Sequence, residues 1–308
     1  MCHIEGNARG RIHILKVTSA ALIIVLICGH SILSAEKETG DDKTDHSISV
    51  KGTRNHGIAE LEGYELVNVF PRTVPFGEGE NLIFSIRYGL ITGGEATLEI
   101  RNMAVLDSVL CYHIVSVART NGVFDRIFKV RDRHESFMEY KDLYSLRFIK
   151  HLREGKYRKD RQVDFDQKAH LAIYSDKTVP IAPNTHDFLT ALYYARTLPL
   201  VPGQAVAMAN HTDYKNYPIY IKYIRRETVK VPAGEFDCIV IEPVLETSTI
   251  FENSGKLTIW LTDDTVRMPV MMRSKVIVGA FEAVLKEFRL SDDKIRLIAE
   301  EKDGEYDR

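Results

Sequence analysis

The sequence predicts a mainly β fold, a large, curved, barrel-like antiparallel sheet with one short α-helix near residues 186–197. Apolar residues recur with period two over most of the chain. Leu82, Phe84 and Ile86 alternate with Ser85 and Arg87, and Leu257, Ile259 and Leu261 alternate with Thr258 and Thr262. Gly-containing or polar pairs such as Glu154-Gly155 and Ala233-Gly234 separate these runs. Only one segment breaks the rhythm, so no βαβ alternation is present. With 308 residues, 44% hydrophobic and 27% charged, the chain can bury a sizeable core and is neither collagen-like nor broadly disordered. A formal net charge of −2 argues against a nucleic-acid coat.

The N-terminus reads as an export signal over residues 1–35. Arg9, Arg11 and Lys16 form a basic region ahead of the apolar run from Val17 to Cys28. A membrane-spanning helix needs about 20 apolar residues, so this run is too short to anchor comfortably. Small residues follow, ending at Leu33-Ser34-Ala35. Ile27 stands before Cys28 where a lipoprotein signal wants a small residue, so lipidation is not expected. Cleavage removes three bases and one acid, which moves the formal charge from −2 to −4. Cys111 and Cys238 then remain in an oxidising compartment. Each sits in a strand pattern on what reads as the inward face. Two buried thiols is the simpler reading and a disulfide the alternative.

Residues 36–63 are polar, contain almost nothing to bury and read as a linker. A single β-rich domain is expected over 64–290. Beyond the two runs above, its strands are placed at 95–103, 108–119, 127–138, 143–153, 156–165, 169–174, 216–231, 235–245, 267–278 and 281–290. Phe188, Leu189, Leu192, Tyr193 and Ala195 recur at helical spacing, behind Asn184-Thr185 as a cap and with Asp187 in the first turn. Leu198-Pro199 ends that helix. Pro269 marks an edge or bulge, and Asp263-Asp264 reads as a hairpin turn. Residues 291–308 form an acidic polar tail.

No chemistry is written plainly in this chain. The motifs of a nucleophile elbow, a zincin and a P-loop are absent, and the histidines are scattered without ligand spacing. No catalytic residue, metal ligand or cofactor is assigned. His113 reads as an inward-facing core histidine. The one uneven feature is charge, with twelve Lys/Arg and six Asp/Glu between Arg126 and Arg161. If the three strands there form a meander, Arg131, Arg147, Lys156, Arg158 and Lys159 are candidates for a cationic outer surface. Its plainer reading is a solvated face.

Four blocks, PFGEGENLIFSIRYGLITGGEATLEI at 75–100, HDFLTALYYART at 186–197, VPAGEFDCIVIEP at 231–243 and IWLTDDTVRMPVMMRSKVIVGAFEAVL at 259–285, occur in order. Together they resemble the domain-of-unknown-function family 3108. The resemblance implies an exported bacterial envelope protein with a β-rich, barrel-like fold, and it implies no reaction. The expected function is non-enzymatic binding of a lipid, lipopolysaccharide or glycan by the concave face of the sheet. Tyr193, Trp260 and Met271, with Phe188 and Met272, are the candidate lining, and ordinary core packing is their alternative. An exported hydrolase with its acid/base pair drawn from separate strands, and a structural assembly partner using a sheet edge, are the competing readings. The expected partners are an amphiphilic or anionic envelope ligand and a peripheral membrane contact, in the periplasm or at the outer membrane.

The mature N-terminus is expected between residues 30 and 37. N-terminal sequencing of the exported protein checks this, and an intact Met1 in the membrane fraction would contradict it.

Overall fold

Most period-two segments pair with the next one along the chain. The computed structural model describes residues 61–67, 73–245, 256–275 and 279–294. The expected signal peptide, residues 36–60 of the expected linker and residues 295–308 of the tail lie outside the described residues. The strands are β1 (Glu65–Val67), β2 (Asn81–Tyr88), β3 (Ile91–Leu106), β4 (Val109–Thr120), β5 (Arg131–Glu139), β6 (Ser145–Glu154), β7 (Tyr157–Asp166), β8 (Leu171–Ile173) and β9 (Thr178–Pro180). Helix α1 (Phe188–Thr197) follows. After it come β10 (Gln204–Met208), β11 (His211–Thr212), β12 (Lys215–Asn216), β13 (Ile219–Val231), β14 (Gly234–Leu245), β15 (Leu257–Thr262), β16 (Pro269–Lys275) and β17 (Ala280–Arg289).

One sheet holds 15 of these strands, in the order β1-β10-β13-β14-β15-β16-β17-β2-β3-β4-β5-β6-β7-β8-β9, and β11-β12 form a separate ribbon. The sheet is curved, barrel-like and unclosed. Its strand pairs are antiparallel, as expected, except β1 with β10, which run parallel and make the sheet mixed. Register irregularities at Ile86/Arg87, Ile100/Asn102, Phe137/Met138, Tyr223/Arg225, Trp260/Leu261 and Leu285/Glu287 sharpen the twist that curls it. At the first of these, Gly94 is required by close approach, since a β-carbon there would stand 2.4 Å from the Arg119 carbonyl oxygen. Pro269 is the first residue of β16, opposite Leu261 beside another irregularity, a position to which strand prolines are confined. Asp264 organises the β15–β16 turn by accepting from the Val266 and Arg267 amides.

Helix α1 lies across the concave face. Its N-cap is Asp187, not Asn184-Thr185. Asp187 Oδ1 accepts from the Leu189 and Thr190 amides at 2.8 and 3.1 Å, as a cap should. Oδ2 accepts from the hydroxyls of Ser136 on β5 and Ser145 on β6, which ties the helix start to the sheet. At the other end Arg196 donates to both Glu80 carboxylate oxygens at 2.7 Å and to the Val266 carbonyl at 3.2 Å. Neither side chain of that ion pair is exposed. Removing one partner of such a pair costs about 3–5 kcal/mol, because a charge is left buried alone. Between the two ends, Phe76 meets Tyr193 and Tyr112 edge-on at 4.8 and 5.4 Å, and Phe188 meets Phe148 edge-on at 5.2 Å.

The fold extends slightly past the expected domain limits. Leu61, inside the expected linker, is buried, and Ser291 and Lys294 at the start of the expected tail are buried as well. Cys111 and Cys238 are both buried and unpaired. Burial pushes the Cys238 thiol up to about 12, which leaves it inert at neutral pH. Among the described residues no helix is long and apolar enough to cross a membrane.

One sector of the concave face is polar. Asp213 receives Lys150 Nζ and Arg161 at 2.5 Å, and the Arg161 guanidinium stacks 4.3 Å from the Tyr214 ring. Beside them the buried carboxyls of Asp132 on β5 and Glu154 on β6 face each other. Burial and the charge of Asp132 push Glu154 up to about 7, and burial moves Asp132 in the same direction. A carboxyl whose pKa rises on folding holds its proton more tightly in the native state. Its contribution to stability is therefore complete below the ordinary value of 4.5 and is lost as the pH rises through about 7. Relative to a Glu154→Gln variant, the native protein's denaturant midpoint should therefore decline between about pH 4.5 and 7. An equal decline in the variant would contradict the assignment.

Candidate functional site

The apolar residues expected to line a ligand cavity do not come together. Tyr193 and Phe188 belong to α1 and pack on the concave side. Strand pairing places Met272, Ile259 and Ala283 on that side too, in register with Ile86. Trp260, Met271 and Val284 pair toward Ser85 and so occupy the opposite face. The β13–β14 turn reaches β17, with the Ala233 amide donating to the Leu285 carbonyl and Phe236 meeting the Phe288 ring. Trp260 Nε1 donates to Glu227, and the Arg273 guanidinium lies 5.3 Å from the indole ring. Tyr193, Trp260 and Met271 are all buried within the hydrophobic core. Two surface recesses, of about 420 and 600 Å³, are lined by none of the three.

The predicted basic strands do form a meander, but its cations divide. On β5 and β6, Arg131 is held by Asp125 at 2.5 Å and Arg147 is bonded to Asp164. The Arg131 guanidinium beside Asp125 holds that carboxyl below its usual range. Lys159 alternates with Arg158 and therefore shares the concave side with Arg161, which removes it from the outer surface. His113 makes the opposite correction. Its ring stacks on Phe137 at 4.7 Å and bonds Glu135 at 2.8 Å, outside the core rather than within it. Both faces of β4 are apolar, so alternation alone cannot choose between Cys111-Val115-Val117 and Tyr112-Ile114-Ala118.

Lys156 and Arg158 remain, and they stand at one end of the sheet. Lys156 sits in the β6–β7 turn. Arg158 is the second residue of β7 and donates to the backbone carbonyls of Gly155 and Tyr157. That turn is fastened to its neighbour, since the Gly155 amide donates to Lys129 O at 2.7 Å. The β4–β5 connection, expected as strand from residue 127, is instead a loop over 121–130 with a single 3₁₀ turn at Phe124–Arg126. Asn121 secures it, accepting from the Val123 and Phe124 amides and donating to Thr92 O beyond the β2–β3 turn. Three successive connections are thereby stitched into one rim. Around it Arg119, Arg126, Lys129, Lys156 and Arg158 are exposed, and none has a carboxylate within salt-bridge distance among the described residues. Sequence alternation does not reveal Arg126 and Arg119 as members of this site, because the loop that carries Arg126 has the apolar content of a strand.

Among the described residues no group of His, Cys, Asp and Glu could hold a metal ion. Residues 83–286 match the family described as protein of unknown function (DUF3108). No curated protein matches the chain. A β-barrel-like protein of the domain family DUF1849 from Brucella abortus aligns over 69% of this chain and 98% of its own, at 10% identity and a TM-score of 0.50, a likeness of fold. A candidate lipoprotein from Parabacteroides distasonis aligns over 71% of this chain and 97% of its own, with 12% identity and a TM-score of 0.28. A candidate exported protein with a YmcC-like fold from Bacteroides fragilis aligns over 71% and 98%, with 11% identity and a TM-score of 0.27. The match over 83–286, well above half of the sequence and built on the same hairpins that carry the rim, makes this chain a member of the DUF3108 family.

Proposed function

We propose that this is an exported protein of the bacterial envelope, periplasmic or outer-membrane associated, that binds an anionic amphiphile at its cationic rim without catalysing a reaction. The observation that carries the reading is the concentration of Arg119, Arg126, Lys129, Lys156 and Arg158 at the linked turns, none within salt-bridge distance of a carboxylate among the described residues, with Asp125 the acid of the loop and acted on by Arg131 and Lys129. Unneutralised charge of one sign raises the local concentration of a ligand of the other sign. The signal-like segment at 1–35 supports export. Binding in the concave face is disfavoured by α1, which packs there and is fastened at both ends.

The competing readings have weaker support. Asp132 and Glu154 are a carboxylate pair of the kind hydrolysis uses, yet Asp132 is wholly buried and belongs to the interior. Sheet-edge assembly would use β1 or β9, each three residues long, and β9 ends in Pro180, which offers no amide to a partner strand.

Co-sedimentation with lipopolysaccharide and with anionic vesicles tests the reading. Affinity should fall as salt rises, because exposed charges are screened beyond a Debye length of about 8 Å at physiological ionic strength. Replacing Arg126, Lys129, Lys156 and Arg158 with Glu should abolish binding while shifting stability by less than about 0.5 kcal/mol per site. Lys141→Glu with Lys168→Glu, in turns at the other end of the meander, should leave binding in place. Undiminished binding by the folded rim variant would overturn the assignment.

A further inference from the structure

We infer that the rim inserts apolar hairpin tips into an anionic lipid bilayer. This rests on the charge reading above and deepens it by naming the partner surface. The tips are Leu90 and Ile91 at the β2–β3 turn and Val123 and Ile127 in the β4–β5 loop. Their exposures are 102%, 57%, 69% and 71%, so these side chains stand largely in water. Single exposed apolar residues are ordinary. Here four stand on two adjacent connections that the Asn121 contacts hold together, at the same end as the unneutralised cations.

Antiparallel order puts the turns at 89–90, 121–130 and 155–156 on one end of the meander and those at 107–108, 140–144 and 167–170 on the other. Exposed apolar side chains occur at both ends, Val105 and Leu110 among them at the second. Charge distinguishes the two. Val105 neighbours the exposed Asp107, and Asp142 and Lys141 share the next turn, whereas Leu90, Val123 and Ile127 are flanked by Arg119, Arg126 and Lys129, and Asp125 between them is paired with Arg131. Apolar tips ringed by cations match a surface with anionic headgroups above hydrocarbon. A soluble polyanion would use the cations and leave the tips in water. The tips are pre-set by hydrogen bonds and by packing. The Phe128 ring lies so close over Gly155 that a β-carbon there would stand 3.1 Å from it, so little ordering accompanies insertion.

The test uses the mature protein with phosphatidylcholine vesicles, with phosphatidylcholine–phosphatidylglycerol vesicles, and with polyphosphate as a soluble polyanion. Leu90→Ser with Val123→Ser and Ile127→Ser should lower affinity for the anionic vesicles by on the order of tenfold or more and leave polyphosphate binding unchanged. An environment-sensitive fluorophore on Ile127→Cys should shift to the blue with anionic vesicles and be quenched by nitroxide-labelled lipid. The same label on Val105→Cys, at the other end, should not respond. Cys111 and Cys238 are buried and leave the introduced thiol as the accessible one. Wild-type vesicle affinity in the serine variant, or an unquenched label at Ile127, would overturn insertion while leaving the charge reading standing. Failure of the native protein to bind either vesicles or polyphosphate would overturn both.

Discussion

The lodging of α1 in the concave face is the constraint on which the rest of the structure depends. A ten-residue helix is too short to persist alone in water, so its stability comes from what it packs against and from its two ends. Asp187 closes the N-terminus and at the same time reaches Ser136 and Ser145 on neighbouring strands. Arg196 spans to Glu80, which precedes β2, and to the β15–β16 turn through Val266. A single helix thus fixes the relative curvature of strands far apart in sequence. The buried ion pair also ties the core to one arrangement, because sliding the helix would strand two charges without water.

With the inner face filled, the proposed recognition falls to the outside. Outward-facing arginines on the long strands meet acids, Arg147 with Asp164 and Arg153 with Asp160 on the neighbouring strand, and Arg133 with Glu135 on its own. Such exposed pairs contribute little to stability, but they cancel the field of the strand surface. In the turns, Arg126, Lys129 and Lys156 have no strand neighbour opposite to neutralise them, whereas Arg119 on β4 pairs across from Glu95. Local structure therefore produces the uneven charge: a basic segment becomes a neutral wall along its strands and a cationic rim at its connections. The polar sector inside, with Asp213 between Lys150 and Arg161, is a separate matter of satisfying charges the fold has buried.

Where one face of a strand is polar, alternation in the sequence is a sufficient guide. Leu82, Phe84 and Ile86 point inward as their spacing predicts, and the helix lies within the expected segment. Legibility fails where physics leaves the pattern degenerate. Strand β4 is apolar on both faces, which inverts the expected placement of His113. Strands β1, β9 and β10 carry too few residues to show a period. The 121–130 loop resembles strand because Phe124, Ile127 and Phe128 are apolar, yet they serve as tip and turn packing. Trp260 and Met271 are recognisable as buried candidates, but only the pairing register places them on the face opposite α1. Lys156 and Arg158 are legible as basic. Their isolation from acids, unlike the pairing of Arg131, depends on a loop residue, Asp125, that alternation does not position.

Hydrogen exchange of the native protein with and without phosphatidylglycerol vesicles tests the central claim, that this molecule meets its partner at the rim and keeps its concave face closed. The prediction is slowed exchange confined to residues 88–92, 121–130 and 155–158, with residues 188–197 of α1 unchanged. Altered exchange in α1 and along the inward residues of β5 and β6, with the three connections unaffected, would contradict it and would mean that the helix gives way to a ligand.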